Sequence, residues 1–497
     1  MALVFLASQV DWNMVQRTPV ESSKKIPVGK VGRWLVPVKR YLQIEATSGI
    51  ILFLCTLIAL LVANSPWDHA FEEFWHTHVA MVVGKLKVEG DLGHLVVNDI
   101  LMTIFFFVVG LEVKREVVGG ELRDPRKALL PIVGAIGGVV TPALIYYAMQ
   151  YGQEGERGWA IPMATDIAFV VGILALFGDR IPFGLKIFLL TLAIVDDILA
   201  VLVIATVFTD SISWEYLAAS LVGFGLVAFC NRIGVRSVIV YALIGVGVWL
   251  GFYKAGIHPT IAGVALGLMT PARAWIARRT FLEVMHDFWD RIQADEDGEV
   301  SEKASGAGQG DSHGAGQGHG AGHGAGQGHN HGADHEVVPV NLEQLRFLAR
   351  ESHSPLHRLE MGLHPWVAFV IMPIFALANA GVELDPVALR SGVSLSVATG
   401  LAVGKPLGIF LFSWIAVVLG LTRLPAGVNW KVFFGGACLG GVGFTMALFL
   451  NALAFPSEEF PVLEGAGKIG TLVGSAISAL VGSGVLWWCT KRVRGGE

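Results

Sequence analysis

Long apolar stretches separated by short polar ones dominate this chain. A helix needs about 20 mostly apolar residues to cross the hydrocarbon of a bilayer. Twelve stretches meet or approach that length: 46–64, 95–118, 127–149, 159–178, 183–208, 215–231, 235–252, 256–271, 364–382, 392–418, 431–454 and 466–488. The pattern predicts an all-α membrane protein of about twelve transmembrane helices. The eighth stretch is short. The fourth and eleventh carry Gly, Pro or Thr where a regular helix prefers other residues.

The polar segments set the domain organisation and the orientation. Residues 1–45 are expected as an N-terminal tail, 46–272 as helices 1–8, 273–358 as an insert, 359–490 as helices 9–12, and 491–497 as a C-terminal tail. Lys and Arg collect in the tails and after the even-numbered stretches, as at Arg123, Arg126, Lys127, Arg180, Lys491, Arg492 and Arg494. The opposite loops are often acidic, as at Glu154, Glu156, Asp210, Glu458 and Glu459. The positive-inside rule then puts both termini and the insert in the cytoplasm. Met1–Ala7 is apolar but too short for a signal-peptide core. Either the first thirty residues are partly disordered, or the true start lies downstream.

Composition agrees with a bilayer protein. Hydrophobic residues make up 53% and charged residues 15%, against about 25% charged in a typical soluble domain. Mean hydropathy is +0.60. The 61 glycines suit close helix packing in lipid. A net charge of −5 offers nothing to a nucleic acid. Cys55, Cys230, Cys438 and Cys489 are isolated, without metal or redox spacing. No HExxH, GxSxG or phosphate-binding loop appears, so neither an enzyme nor an ATP-driven pump is expected, and no cofactor.

The insert opens with an amphipathic pattern (Phe281, Leu282, Met285, Phe288, Trp289, Ile292) and runs into a Gly/Ala/Gln/His tract. Such a composition buries no core. His313, His319, His323, His329, His331 and His335 lie there, as part of a solvated linker or as a weak, adventitious Zn²⁺ or Ni²⁺ binder.

Charges inside apolar stretches carry the chemistry, because each costs about 2.5–3.5 kcal/mol at the centre of a membrane helix. Asp196 and Asp197 stand alone between Lys186 and Asp210. On a helix they point about 100° apart, so one can face an aqueous route while the other meets a partner. Asp166 follows Pro162 and Thr165 in WAIPMATDIAFVVG. There a capping role and a coordinating role at an interrupted helix are compatible. Lys405 stands alone between Arg390 and Arg423. It either pairs with one of the three acids or compensates helix-end carbonyls. Gly440, Gly441, Gly443 and Thr445 in the eleventh stretch suit a tight packing face or a broken helix.

Seven strings closely resemble the NhaA family of Na⁺/H⁺ antiporters: FFFVVGLEVKREV (105–117), GWAIPMATDIAFVVGILALFGDRIP (158–182), LKIFLLTLAIVDDILA (185–200), AGIHPTIAGVALG (255–267), RLEMGLHPWVAFVIMPIFALANAGV (358–382), VGKPLGI (403–409) and GVGFTMALF (441–449). The resemblance runs from about Ser48 to about Leu486, the insert excepted. It implies inverted repeats, with the fourth and eleventh helices interrupted and crossing at mid-membrane. It implies electrogenic export of Na⁺ or Li⁺ in exchange for protons, across a bacterial inner membrane, with control of internal pH. It implies Asp196 and Asp197 as Na⁺- and proton-binding carboxylates, Asp197 the more direct ligand. Thr165 and Asp166 assist, and Lys405 pairs with Asp196 or exchanges a proton. Glu112, Lys114, Arg115, Glu116, His258, Arg358, Glu360 and His364 fall in motifs tied to pH response. A homodimer is compatible with the resemblance.

Departures weaken the pH assignment more than the transport one. The loop before the ninth helix is expanded, His357 and Met361 stand where a basic residue and a histidine are usual, and Pro259 follows His258 where a small residue is usual. His258 near a helix end suits either a sensor or a structural interfacial histidine. A passive channel would need a repeated pore segment, which the dissimilar charged stretches do not form. A Zn²⁺ transporter would need His inside the spans rather than in the insert.

Overall fold

The computed structural model describes residues 32–491 except 84–85, 210–211, 236, 274–282, 285 and 287–353. The first part of the expected tail, the amphipathic pattern from Phe281 to Ile292 and the histidine tract lie outside the described residues. Helices form nearly everything else: α1 (Gly32–Ala63), α2 (Asp68–Trp75), α3 (Leu92–Gly119), α4 (Pro125–Gln150), the short 3₁₀ segment α5 (Glu154–Met163), α6 (Ile167–Phe177), α7 (Phe183–Val207), α8 (Trp214–Ile233), α9 (Val238–Ala255), α10 (Thr260–Met269), α11 (Pro355–Asn379), α12 (Gly392–Val418), α13 (Trp430–Gly440), α14 (Phe444–Ala454) and α15 (Pro461–Lys491).

Eight of these are long and apolar enough to cross a bilayer, and eleven spans result if each sharply bent pair counts as one. The bent pairs are the membrane part of α1 with α2 (118°), α5 with α6 (42°) and α13 with α14 (41°). The stretch expected as an eighth span is only the ten-residue α10. At 1.5 Å per residue it reaches about 15 Å, half the hydrocarbon thickness. Two element ends also differ from the apolar pattern. α1 starts at Gly32, inside the expected tail, and α11 starts at Pro355, where the Ser354 hydroxyl caps His357 N–H at 3.2 Å.

Beside the helices, which bear out the all-α class, lies a small antiparallel hairpin, His78–Val83 with Leu86–Asp91, in register from His78↔Asp91 to Val83↔Leu86. Its two six-residue strands fall in a stretch with no long apolar run, so a search for membrane spans passes over them. His76 with Asp91 (3.0 Å) and Lys87 with Glu89 (2.5 Å) pair on its exposed faces.

α7 is largely buried, whereas α8 and α9 are largely exposed. Bare backbone lets the neighbouring helices close up. A Cβ placed on Gly408 of α12 would lie 2.0 Å from Gly137 O of α4, and one on Gly110 of α3 would lie 2.6 Å from Val264 O of α10. α12 contains a wide π-type turn at Gly400–Gly404, just before Lys405. Such turns change the direction in which the next side chains project.

Candidate ion-exchange site

The site forms where two bent helix pairs meet beside α7. Between α5 and α6 the chain is extended through Ala164 and Asp166. Between α13 and α14 it turns through Gly441–Gly443. The two breaks touch directly: Asp166 N–H donates to Val442 O at 2.7 Å, and a Cβ on Gly443 would lie 2.9 Å from Ala164 O. Each break frees backbone groups that a continuous helix would pair.

Side chains take up those freed groups. The Asp166 carboxylate caps α6 by accepting from Phe169 N–H at 3.2 Å. It reaches the first turn of α14 as well, accepting from Thr445 N–H at 3.0 Å and from the Thr445 hydroxyl. One carboxylate therefore serves two helix N-termini, where partial positive charge favours an anion. At the other end of the break the Lys405 ammonium donates to Met163 O, the last residue of α5. The two alternatives for Lys405 thus occur together, since its ammonium also lies 2.9 Å from Asp196 Oδ2.

Asp196 and Asp197 separate as neighbours on a helix must. Asp196 is wholly buried and turns toward Lys405 and Thr165, whose Oγ1 is 2.6 Å from Asp196 Oδ2 and 3.0 Å from Gly440 O. Asp197 turns into a cavity lined also by Ser48, Glu112, Thr165, Asp166, His364 and Thr445, with apolar walls from Leu52, Phe105 and Met372. Asp197 Oδ1 and Asp196 Oδ1 have no hydrogen-bond partner among the described residues. A buried carboxylate oxygen without a partner is costly unless a proton or a cation occupies it. Asp197, Asp166 and the Thr165 hydroxyl offer the hard oxygen ligands that an alkali ion takes.

The residues that the resemblance ties to pH response fall in four places. Glu112 and His364 line the cavity, with His364 Nε2 3.9 Å from Glu112 Oε1. Arg115 joins α3 to α11 by an ion pair with buried Glu360 and lies 3.4 Å from Glu116 Oε1. Lys114 on α3 and Arg358 on α11 are half-buried and outside the cavity lining. His258 belongs elsewhere. It precedes α10, with Nδ1 2.7 Å from Thr260 Oγ1 and Nε2 3.6 Å from Asp99 Oδ1, and its ring packs edge-on against Phe449.

The sequence profile of the family described as Na⁺/H⁺ antiporter 1 matches residues 39–486. The chain belongs to this family. The chain is similar to a protein of Rhodopirellula baltica named Na(+)/H(+) antiporter NhaA. The two are 46% identical over 469 residues, 94% of this chain and 98% of the relative. A protein of Vibrio vulnificus named Na(+)/H(+) antiporter NhaA 2 is 43% identical over 458 residues, 92% of this chain and 94% of the relative. One of Sorangium cellulosum with the same name is 45% identical over 469 residues, 93% of this chain and 92% of the relative. Family membership and the long apolar helices make the chain a multi-pass membrane protein.

Several polar groups in this Na⁺/H⁺ antiporter 1 family member escape a reading of isolated intramembrane charges. Ser48 is uncharged, so nothing in the pattern separates it from an ordinary helix-packing hydroxyl, and Thr445 reads only as part of a packing face or a helix break, not as a group of the site. Asp99 is buried at 2% exposure with His94 Nδ1 3.6 Å from its Oδ2. It lies near the start of an apolar stretch, where an acid reads as a solvated flank. Asn98 and Asn379 exchange hydrogen bonds of 3.3 and 3.0 Å between α3 and α11, a pairing that no local pattern encodes.

Proposed function

We propose that this chain is an electrogenic Na⁺(Li⁺)/H⁺ antiporter that expels Na⁺ in exchange for protons and so regulates internal sodium and pH. A bacterial inner membrane with both termini in the cytoplasm is its setting. Twelve helices in inverted repeats, with α5–α6 and α13–α14 as interrupted helices crossing at mid-membrane, are its frame. Residues 46–272 and 359–490 hold the spans, 1–45 and 491–497 are tails, and 273–358 is a cytoplasmic insert.

The observation that carries the reading is the division of labour between Asp196 and Asp197. Asp196 is matched by the Lys405 ammonium at 2.9 Å, while Asp197 lines the cavity and its buried Oδ1 has no hydrogen-bond partner among the described residues. A proton and a dehydrated alkali ion compete for the same carboxylate oxygens. The ion needs both oxygens ionised, and a proton removes that condition. If reorientation requires one occupant or the other, the two fluxes are coupled. If loading takes more protons than sodium ions, membrane potential drives the exchange.

Glu112, Lys114, Arg115, Glu116, His258, Arg358, Glu360 and His364 serve pH response in this reading. The cavity contact of Glu112 and His364 and the Arg115–Glu360 pair between α3 and α11 support it. The test is Na⁺-dependent collapse of a proton gradient in everted vesicles, titrated over pH. Wild-type protein exchanges against an opposing sodium gradient, and Asp197→Asn abolishes exchange. Full exchange by Asp197→Asn, or flux only down the sodium gradient, defeats the reading.

A further inference from the structure

The bundle end where α13 begins and α15 finishes has a feature unrelated to ion exchange. α15 is 31 residues long. At 1.5 Å per residue that is about 46 Å, well beyond a hydrocarbon core of about 30 Å. The excess leaves room for its last turns, which carry two tryptophans and Lys491, to lie at headgroup depth. Trp487 and Trp488 project there, 51% and 47% exposed. α13 packs beside α15, and its N-terminal turn lies at the same end, because Lys431 Nζ of α13 sits 5.8 Å from the Trp488 ring centroid. Lys491 Nζ sits 4.7 Å from the Trp487 ring centroid.

Neither lysine has a carboxylate partner among the described residues. Three lysines elsewhere do: Lys468 pairs with Glu464 at 2.9 Å, Lys87 with Glu89 at 2.5 Å and Lys127 with Glu121 at 3.4 Å. The first turn of α13 adds the positive end of a helix dipole. Its N-cap Asn429 satisfies only Val432 N–H, at 3.0 Å. The surface thus offers two ammonium groups without a carboxylate partner among the described residues, a helix N-terminus and two exposed indoles. Interfacial indoles favour the depth of lipid headgroups, and basic residues beside membrane helices attract anionic lipid.

We propose that the α13–α15 end, through Lys431, Lys491, Trp487 and Trp488, binds the phosphate headgroup of an anionic phospholipid. The ammonium groups meet the phosphodiester, and the indoles seat the glycerol and upper acyl chain. No bond is made or broken. The occupant is a bilayer lipid rather than a soluble phosphate, because the indoles present apolar surface that a free ion would not use.

Native mass spectrometry of the purified full chain, released from micelles containing phosphatidylglycerol or phosphatidylcholine, tests this. The wild type is expected to retain phosphatidylglycerol and not phosphatidylcholine. Each lysine near an anionic surface is worth about five-fold in affinity, so Lys431→Gln with Lys491→Gln lowers retention by about thirty-fold. The double Lys→Arg variant keeps it, which separates charge from folding. Equal retention by wild type and the double Gln variant, equal retention of phosphatidylcholine, or displacement by inorganic phosphate each overturns the proposal. Sodium exchange is not read in this measurement, so its outcome is independent of the transport mechanism.

Discussion

Lys405 Nζ lies 2.9 Å from Asp196 Oδ2, and both side chains are wholly buried. Two opposite charges on α12 and α7 thus hold each other in the interior, one residue from a carboxylate that faces a cavity. Removing one member of a buried pair leaves the other uncompensated, which costs about 3–5 kcal/mol. Lys405→Met should therefore lower the thermal midpoint of the purified protein markedly. Adding Asp196→Leu should recover most of that loss, since an apolar replacement of the whole pair is often neutral. An unchanged midpoint in Lys405→Met would contradict the pairing.

Thr445 is expected to matter through Asp166. Its hydroxyl and its N–H both donate to the Asp166 carboxylate. A hydrogen bond to a charged group contributes about 1.5–3 kcal/mol. Thr445→Val should weaken the apparent Na⁺ affinity in exchange assays by about ten-fold or more. Thr445→Ser, which keeps the hydroxyl, should stay near wild type. Near-wild-type affinity in Thr445→Val with weakened affinity in Thr445→Ser would show that the methyl group, and not the hydrogen bond, is what the site uses.

The contact between α4 and α12 has no room for a side chain at Gly408, where a Cβ would lie 2.0 Å from Gly137 O. That atom is backbone and cannot rotate away. Gly408→Ala should separate the helices and cost about 1–3 kcal/mol, as overpacking does. Because Lys405 is one turn away on α12, exchange should fall together with stability. A fully stable and active Gly408→Ala protein would mean that the helices are not in contact as described.

The hairpin offers a pH-dependent readout outside the spans. The hydrogen bond and charge of Lys87 hold the Glu89 carboxyl below its ordinary range. A depressed carboxylate contributes stability above its unfolded pKa and loses it as pH falls through the folded value. The pair is exposed, so the effect on stability is small. In Lys87→Ala the Glu89 titration followed by NMR should move upward. A titration that stays in place would remove Lys87 as the cause.

How much of this was legible in the sequence varies with the physics. Every long apolar run became helical, because backbone groups in lipid must pair within their own segment. Asp166, Asp196, Asp197 and Lys405 stood out because a charge amid apolar neighbours is expensive enough to need a reason. Thr445 and Asn379 gave no such signal, since an uncharged polar group in a helix costs little to explain. The short α10 was readable as short, but its ten-residue length follows from the breaks at His258–Pro259 and Thr270, which apolarity alone does not locate. The hairpin strands were hidden because six residues are too few to register in a search for apolar runs of membrane length.

Proton release on sodium binding tests the central competition most directly. Purified protein in lightly buffered detergent is given NaCl at constant ionic strength while pH is recorded. Wild-type protein should release protons as Na⁺ displaces them from the carboxylates, and Asp197→Asn should release none. Equal release by the variant, or no release by the wild type at any pH, would contradict a shared site for the two ions.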